Sequence, residues 1–193
     1  RLVCVAIGYL FGLFQTAYIY GKLHGIDIRN YGSGNAGTTN TLRVLGTKAG
    51  LIVLAGDILK CILAIAAVRL LFAGGVHEDM YYLLAMYAAL GAILGHDYPF
   101  YLGFKGGKGV LVGAGAALAT EPLVCAVLLG IFLIEVAVTR IVSLGSIIIA
   151  ALYPVGTLIN LIARGANAAT IVFSTVCCVI MAAMVIWLHR SNI

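Results

Sequence analysis

Seven long apolar stretches, separated by short polar segments, constrain this chain more than any other feature. A helix that spans a bilayer needs about 20 mostly apolar residues, with a range of about 17–25. The candidate segments are residues 2–20, 49–73, 80–95, 109–120, 122–139, 143–163 and 168–188. Hydrophobic residues make up 63% of the chain and charged residues 10%, whereas soluble domains have about 45–50% and about 25%. We therefore predict an all-α integral membrane protein that forms a single domain over residues 1–193.

The fourth apolar segment decides the predicted topology, because it is short and ends at Glu121-Pro122. Proline starts helices readily, so we expect a turn there and seven crossings rather than six. The loops that would share one side then hold eight basic residues: Lys22, Arg29, Arg43, Lys48, Lys105, Lys108, Arg140 and Arg190. The other side holds Arg1, Arg69 and Arg164. The positive-inside rule therefore predicts an N-terminus outside the cell, a C-terminus in the cytoplasm and polar segments on the cytoplasmic face.

The first polar island, residues 27–43, contains the sequence GSGNAGTTN and ends with Arg43. Its glycines match G-x-G-x-x-G, but that dinucleotide fingerprint requires a preceding β-strand, and here an apolar span precedes it. Glycine-rich backbone can form an anion-binding nest, and hydroxyl, amide and guanidinium groups add donors for phosphate. The alternative is a solvated loop in which Asn40 or Thr39 caps the next helix.

The second polar island, residues 95–109, reads GHDYPFYLGFKGGKG. It is not a Walker A motif, yet two lysines among glycines suit a phosphate or an acyl-phosphate. His96 and Asp97 are a candidate acid–base pair. The alternative assigns the polar groups to loop hydrogen bonds and the aromatic residues to an interfacial belt. No zinc-binding H-E-x-x-H or H-x-x-E-H pattern occurs.

Three further features complete the sequence pattern. The terminal HRSNI contains His189 and Asn192, which are either site residues or interfacial anchors. Asp57 and Lys60 are spaced i,i+3 inside an apolar segment, where ionisable residues are usually paired and are functional or hold the helix bundle together. All five cysteines lie in apolar runs, which predicts buried thiols without disulfides.

In their order along the chain, these islands resemble the bacterial membrane glycerol-3-phosphate acyltransferases of the PlsY family. The resemblance covers nearly the whole chain and rests on DIRNYGSGNAGTTNTLRVLG, GHDYPFYLGFKGGKGV and HRSNI, with DILK and TRIVSLGS as weaker support. It implies transfer of an acyl chain from acyl-phosphate to the 1-hydroxyl of sn-glycerol-3-phosphate. The products would be lysophosphatidic acid and phosphate, and neither a metal nor coenzyme A would be needed. Such an enzyme (EC 2.3.1 class) would act at the bacterial inner membrane in the first step of phospholipid synthesis.

The resemblance also implies a set of site residues. Ser33, Arg43, Lys105 and His189 would be catalytic. The substrate- and phosphate-binding set is Gly32, Ser33, Gly34, Asn35, Thr39, Asn40, Arg43, Lys105, Gly106, Gly107, Lys108, Ser143, His189 and Asn192. The base would be His96, His189 or a phosphate oxygen of the acyl donor itself.

A small anion or phosphate-ester transporter or channel is the alternative from another class. It would place polar groups through the bilayer midplane and often shows an internal repeat. No convincing repeat is found, and the polar islands cluster at one predicted face, so an interfacial enzyme is favoured. The expected partners are the two substrates, the lipid bilayer and a soluble enzyme that supplies acyl-phosphate. Nucleic acid is not expected.

Overall fold

The computed structural model describes residues 1–72, 74 and 77–190 and consists there of helices and connecting turns without β-strands. The helices are α1 (Leu2–Gly12), α2 (Thr16–Leu23), α3 (Thr38–Leu45), α4 (Thr47–Phe72), α5 (Glu78–Asp97), α6 (Val110–Thr120), α7 (Pro122–Thr139), α8 (Val142–Ala163) and α9 (Ala168–Leu188). Short 3₁₀ turns lie at Ile28–Asn30 and Phe100–Leu102. The all-α prediction is confirmed.

Within the described residues, five segments are long and apolar enough to cross a membrane. They are Leu2–Leu23, Thr47–Phe72, Pro122–Thr139, Val142–Ala163 and Ala168–Leu188. The 11-residue helix α6 would reach only about 16 Å at about 1.5 Å per residue, roughly half of a hydrocarbon core. The chain is therefore a multi-pass membrane protein, while the seven crossings and their orientation stay predictions.

The first apolar segment is not one continuous helix. It breaks between α1 and α2, where the two N–H groups of the buried Gln15 side chain are shared among the carbonyls of Gly12, Gly95 and His96 at 3.2, 3.2 and 2.9 Å. In an apolar environment a carbonyl without a partner is costly, and Gln15 supplies donors where the helix ends. Through these hydrogen bonds, the segment between α1 and α2 is attached to the end of α5.

Helices α1 and α5 pack with their backbones in contact. A Cβ atom added at Gly8 or Gly12 would collide with the carbonyls of Ala88 or Ala92, and one added at Gly91 would collide with the carbonyl of Val5. Small residues at this four-residue spacing allow two membrane helices to pack closely. The contact fixes the position of α5, whose last turn carries His96.

The turn at Glu121-Pro122 is also confirmed, since α6 ends at Thr120 and α7 begins at Pro122. The Glu121 carboxylate is buried and accepts hydrogen bonds from Thr157 (2.7 Å) and Asn160 (2.8 Å) of α8. Helices α6 and α7 thus form a hairpin whose turn is fixed to α8. All five cysteines are free, and four of them are buried.

Candidate active site

A cavity of about 430 Å³ brings the polar islands together. Of the predicted site residues, its lining includes Ser33, Asn35, Thr39, Asn40, Arg43, His96, Lys108, Ser143 and His189. Gly32, Gly34, Lys105, Gly106 and Gly107 are not part of the lining, and Asn192 lies outside the described residues. Islands that are far apart in the sequence therefore meet at one end of the helix bundle.

Asn40 holds the GSGNAGTTN loop from inside. Its buried carboxamide accepts a hydrogen bond from the N–H of Ser33 at 2.8 Å and contacts the carbonyls of Ile28, Tyr31 and Asn35 as a donor at 3.2, 3.0 and 3.0 Å. The loop therefore closes around this one side chain. The alternative in which Asn40 or Thr39 caps α3 is wrong, because the N-cap residue is Gly37 and no side chain caps the helix.

Two glycines give the loop its shape. Gly32 and Gly34 have φ of 60° and 72°, a region that side chains rarely adopt. The N–H of Gly34 donates to the Tyr31 carbonyl at 3.0 Å, and the N–H of Ser33 donates to the side-chain oxygen of Asn40. These two N–H groups therefore stabilise the loop internally. The donors that the loop presents to the cavity are the hydroxyls of Ser33 and Thr39, Arg43 and the uncapped first turn of α3.

The FKGGKG segment folds back as a strap on the end of α5. Gly106 and Gly107 donate their N–H groups to the carbonyls of Asp97 (3.1 Å) and His96 (3.0 Å). A Cβ atom at Gly106 would collide with the His96 carbonyl, and one at Gly107 would collide with the His96 ring. These glycines therefore permit close contact with α5, and their N–H groups bond to α5 rather than facing an anion.

The strap separates its two lysines. Lys108 is half-buried and lines the cavity, whereas Lys105 is exposed and does not. Burial lowers the pKa of Lys108 from its ordinary value. Arg29 connects the second island to the first, since it pairs with Asp27 at 2.8 Å and donates to the Leu102 carbonyl at 3.1 Å. The Arg29 guanidinium in turn lowers the pKa of Asp27.

Asp57, Lys60 and His96 form a buried polar chain beside the cavity. The Lys60 ammonium lies 2.9 Å from the Asp57 carboxylate and 2.7 Å from Nδ1 of His96, and it donates to the Phe14 carbonyl at 3.0 Å. The predicted pairing of Asp57 with Lys60 is confirmed. The predicted pair of His96 with Asp97 is not formed: the Asp97 carboxylate lies against Gly109 and has no hydrogen-bond partner among the described residues.

His189 follows the last turn of α9 at the other side of the cavity. Its Nδ1 lies 2.7 Å from the Val185 carbonyl, which can only accept, so Nδ1 carries the hydrogen and Nε2 is the acceptor. Burial lowers the pKa of His189, and the nearby Lys108 charge lowers it further, although the hydrogen bond to Val185 acts to raise it. The neutral ring is thereby favoured.

The sequence interpretation missed Arg140 and Thr38, which also line the cavity. Arg140 follows α7 as its C-cap residue, with φ of 63°. Neither Arg43 nor Arg140 forms an ion pair with any residue in the described ranges, so both guanidinium groups are available to an anion. The polar segment TRIVSLGS was the signal that could have identified Arg140, since it follows an apolar span on the same predicted side.

The lining of the cavity combines polar and apolar side chains. Leu54, Val110, Leu111, Phe132 and Val142 line it together with the cationic and hydroxyl groups. Fold and cavity thus define a multi-pass helical membrane protein whose cavity has an amphipathic lining. Such a site suits a molecule that carries both a phosphate and a hydrocarbon chain.

Comparison with known proteins gives the family. A profile described as glycerol-3-phosphate acyltransferase matches residues 2–193. The glycerol-3-phosphate acyltransferase of Clostridioides difficile (strain 630) is 38% identical over 198 residues, which cover 100% of this chain and 89% of the relative. That of Bacillus cytotoxicus is 39% identical over 188 residues, covering 97% and 86%.

Solved structures agree with the sequence matches. The crystal structure of PlsY (YgiH), an integral membrane glycerol 3-phosphate acyltransferase, in its glycerol 3-phosphate form matches with a TM-score of 0.80 and 31% identity, covering 99% of this chain and 88% of that one. Its lysophosphatidic acid form matches with a TM-score of 0.79. This chain belongs to the PlsY family of glycerol-3-phosphate acyltransferases, which favours the enzyme over the transporter alternative.

Proposed function

We propose that this chain transfers an acyl group from acyl-phosphate to the 1-hydroxyl of sn-glycerol-3-phosphate and forms lysophosphatidic acid and inorganic phosphate. The observation that carries the proposal is a cavity whose lining contains Arg43, Lys108 and Arg140 together with apolar side chains. Both substrates are phosphate anions, and one has a fatty chain. The solved relative, which has been crystallised in glycerol 3-phosphate and lysophosphatidic acid forms, supports the acceptor and the product.

The two phosphates would be held by different parts of the cavity. Ser33, Thr39 and Arg43, with the uncapped start of α3, form one set of donors on the first island. Lys108 and Ser143 form a second set, which also stabilises negative charge on the acyl carbonyl as the tetrahedral intermediate develops. Asn40, Gly32 and Gly34 shape the first set, and Gly106 and Gly107 position Lys108. Lys105, exposed outside the lining, attracts the anionic substrates.

The reaction then follows from this placement. The 1-hydroxyl oxygen attacks the acyl carbonyl carbon, and the bond between that carbon and the phosphate oxygen breaks. Nε2 of His189 accepts a hydrogen bond from the attacking hydroxyl and orients it. A phosphate oxygen of the acyl donor takes the proton and leaves as part of inorganic phosphate. Asn192 stays a proposed contact of the glycerol moiety.

For the whole protein, we propose a single domain with seven crossings, an outside N-terminus and the cavity at the cytoplasmic face of the bacterial inner membrane. This orientation follows from the bias of basic residues towards the loops around the cavity. It places the site where a soluble enzyme that makes acyl-phosphate could deliver the donor.

The purified protein tests the proposed reaction directly. With palmitoyl-phosphate and glycerol-3-phosphate, we expect release of inorganic phosphate and formation of a lysolipid without metal or coenzyme A. A chelator in the assay should leave the rate unchanged. No phosphate release, or activity with acyl-coenzyme A alone, would overturn the proposal.

A further inference from the structure

The buried Lys60 ammonium determines how the His96 ring is protonated. An ammonium group has three hydrogens and no lone pair, so it can only donate. Its three partners are the Asp57 carboxylate at 2.9 Å, the Phe14 carbonyl at 3.0 Å and Nδ1 of His96 at 2.7 Å. Each ammonium hydrogen therefore has one acceptor, and Nδ1 of His96 is one of the three acceptors.

A ring that accepts at Nδ1 carries its hydrogen on Nε2. A doubly protonated ring would direct an N–H group at the ammonium, which this geometry excludes. The side chains of Lys60 and Asp57 are each only 3% exposed, so water does not compete for these contacts. The Asp57 carboxylate also accepts a hydrogen bond from the Thr16 hydroxyl at 3.4 Å, which helps to fix its position.

The His96 ring lies between the cavity and the strap. His96 is part of the cavity lining, and its Nε2 is next to Gly107 in the strap that carries Lys108. A Cβ atom at position 107 would collide with this nitrogen, so only glycine lets the strap pack here without displacing the ring. The two histidines of the cavity thus have opposite roles: Nε2 of His189 accepts, whereas Nε2 of His96 donates.

We propose that His96 donates its Nε2–H to an anionic oxygen of the bound substrate, and that Asp57 and Lys60 are positioning residues that hold the ring in this tautomer. The inference rests on the proposed function, in which the cavity holds phosphate groups. It excludes His96 as the base, since Nε2 already carries a hydrogen and Nδ1 is bound by Lys60.

Nuclear magnetic resonance of the whole protein with ¹⁵N-labelled histidine rings tests the tautomer without turnover. The chain has four histidines, and the His96 signals are those that disappear in His96→Asn. We expect a protonated Nε2 and an unprotonated Nδ1, with the Nε2 signal shifting as glycerol-3-phosphate or inorganic phosphate is added. A hydrogen on Nδ1, a cationic ring or no response to either anion would overturn the proposal.

The double variant Asp57→Asn/Lys60→Met tests the positioning role. It removes both buried charges together, because removing one alone would leave the other unpaired in the interior. We expect the Nδ1 signal to move and the ring to lose its single tautomer. An unchanged histidine spectrum in this variant would show that Lys60 does not fix the ring.

Two conservative replacements separate donation to the substrate from support of Lys60. Asn at position 96 keeps an acceptor near Nδ1 but has no donor near Nε2, whereas Gln can place an N–H near Nε2. We expect His96→Asn to lower kcat/KM about 10-fold to 100-fold, and His96→Gln to retain several-fold more activity. The exposed His24→Asn is the control and should behave as wild type.

The outcomes distinguish this inference from the proposed function. If the wild-type protein transfers acyl groups from acyl-phosphate but His96→Asn is as active as His96→Gln, the donor role is wrong and the reaction stands. If the wild-type protein does not use acyl-phosphate, the reaction is wrong, and the phosphate-induced shift of Nε2 still decides the donor role.

Discussion

Replacing Asn40 should reduce catalysis far more than it reduces stability. The carboxamide accepts one hydrogen bond from Ser33 and donates its two hydrogens among the carbonyls of Ile28, Tyr31 and Asn35. Three hydrogen bonds at about 1 kcal/mol each give about 3 kcal/mol that order the loop. If substrate binding must supply this energy in Asn40→Ala, kcat/KM should fall about 100-fold, since about 1.4 kcal/mol corresponds to a factor of ten.

The isosteric variant Asn40→Asp makes the prediction sharper. It keeps the acceptor for the Ser33 N–H but points carboxylate oxygens at carbonyl oxygens in a site that is 2% exposed. We therefore expect it to be at least as impaired as Asn40→Ala, although its shape is unchanged. Phosphate release and the thermal unfolding midpoint would be measured for both variants.

Asn167 provides the matched control at the opposite end of the bundle. Its carboxamide oxygen accepts the N–H of Thr170 at 2.9 Å as the cap of α9, and its N–H donates to the Asp79 carboxylate at 2.7 Å, so Asn167→Ala also removes side-chain hydrogen bonds that hold a helix end. Its unfolding midpoint should fall while kcat/KM stays near that of wild type. Wild-type kcat/KM in Asn40→Ala, or an equal loss in Asn167→Ala, would refute the positioning role of Asn40.

Three further predictions concern the strap, the cations and His189. Gly107→Ala should lower kcat/KM at least 10-fold, because its Cβ would displace the strap from His96. Gly113→Ala is the control and should be tolerated, since its Cβ would meet only Ile93 at 3.7 Å. Equal activities of the two variants would contradict the packing argument. Lys108→Ala and Arg43→Ala should each nearly abolish phosphate release. Lys105→Ala should retain clearly more activity, because Lys105 is outside the cavity. A greater loss of activity in Lys105→Ala than in Lys108→Ala would refute the assignment. Burial and the Lys108 charge lower the pKa of His189, so the ratio of wild-type to His189→Gln kcat/KM should be constant at neutral and alkaline pH and fall as acid protonates Nε2; a ratio that rises as the pH falls would exclude this role.

The sequence was sufficient to predict that distant polar islands meet, because the predicted membrane topology puts them on one side. It could not predict what the glycines of FKGGKG do. Glycine that allows an anion to approach and glycine that allows a helix to approach are identical in a sequence, and here Gly106 and Gly107 face α5. The contact with α5 also determines which of the two lysines lines the cavity, so the sequence could not predict that either.

The role of His96 was also beyond the sequence. Its partner, Lys60, is 36 positions away on α4, whereas the adjacent Asp97 is directed to Gly109. The break near Gln15 was missed for a similar reason. The apolar run continues through it, and what ends the helix is a set of carbonyls that includes Gly95 and His96 of α5. Each miss involves a contact between segments that are remote in the chain.

Helix α7 has no buried residue, yet it contributes Phe132 to the cavity, and its C-cap residue Arg140 also lines it. The polar site thus lies directly beside the outer helix of the bundle. For the proposed reaction, the fatty donor and the lysolipid would exchange sideways with the surrounding lipid and would not pass through water. The rate should then depend on the mole fraction of acyl-phosphate among the lipids, so that adding inert lipid at constant total donor slows the enzyme by surface dilution.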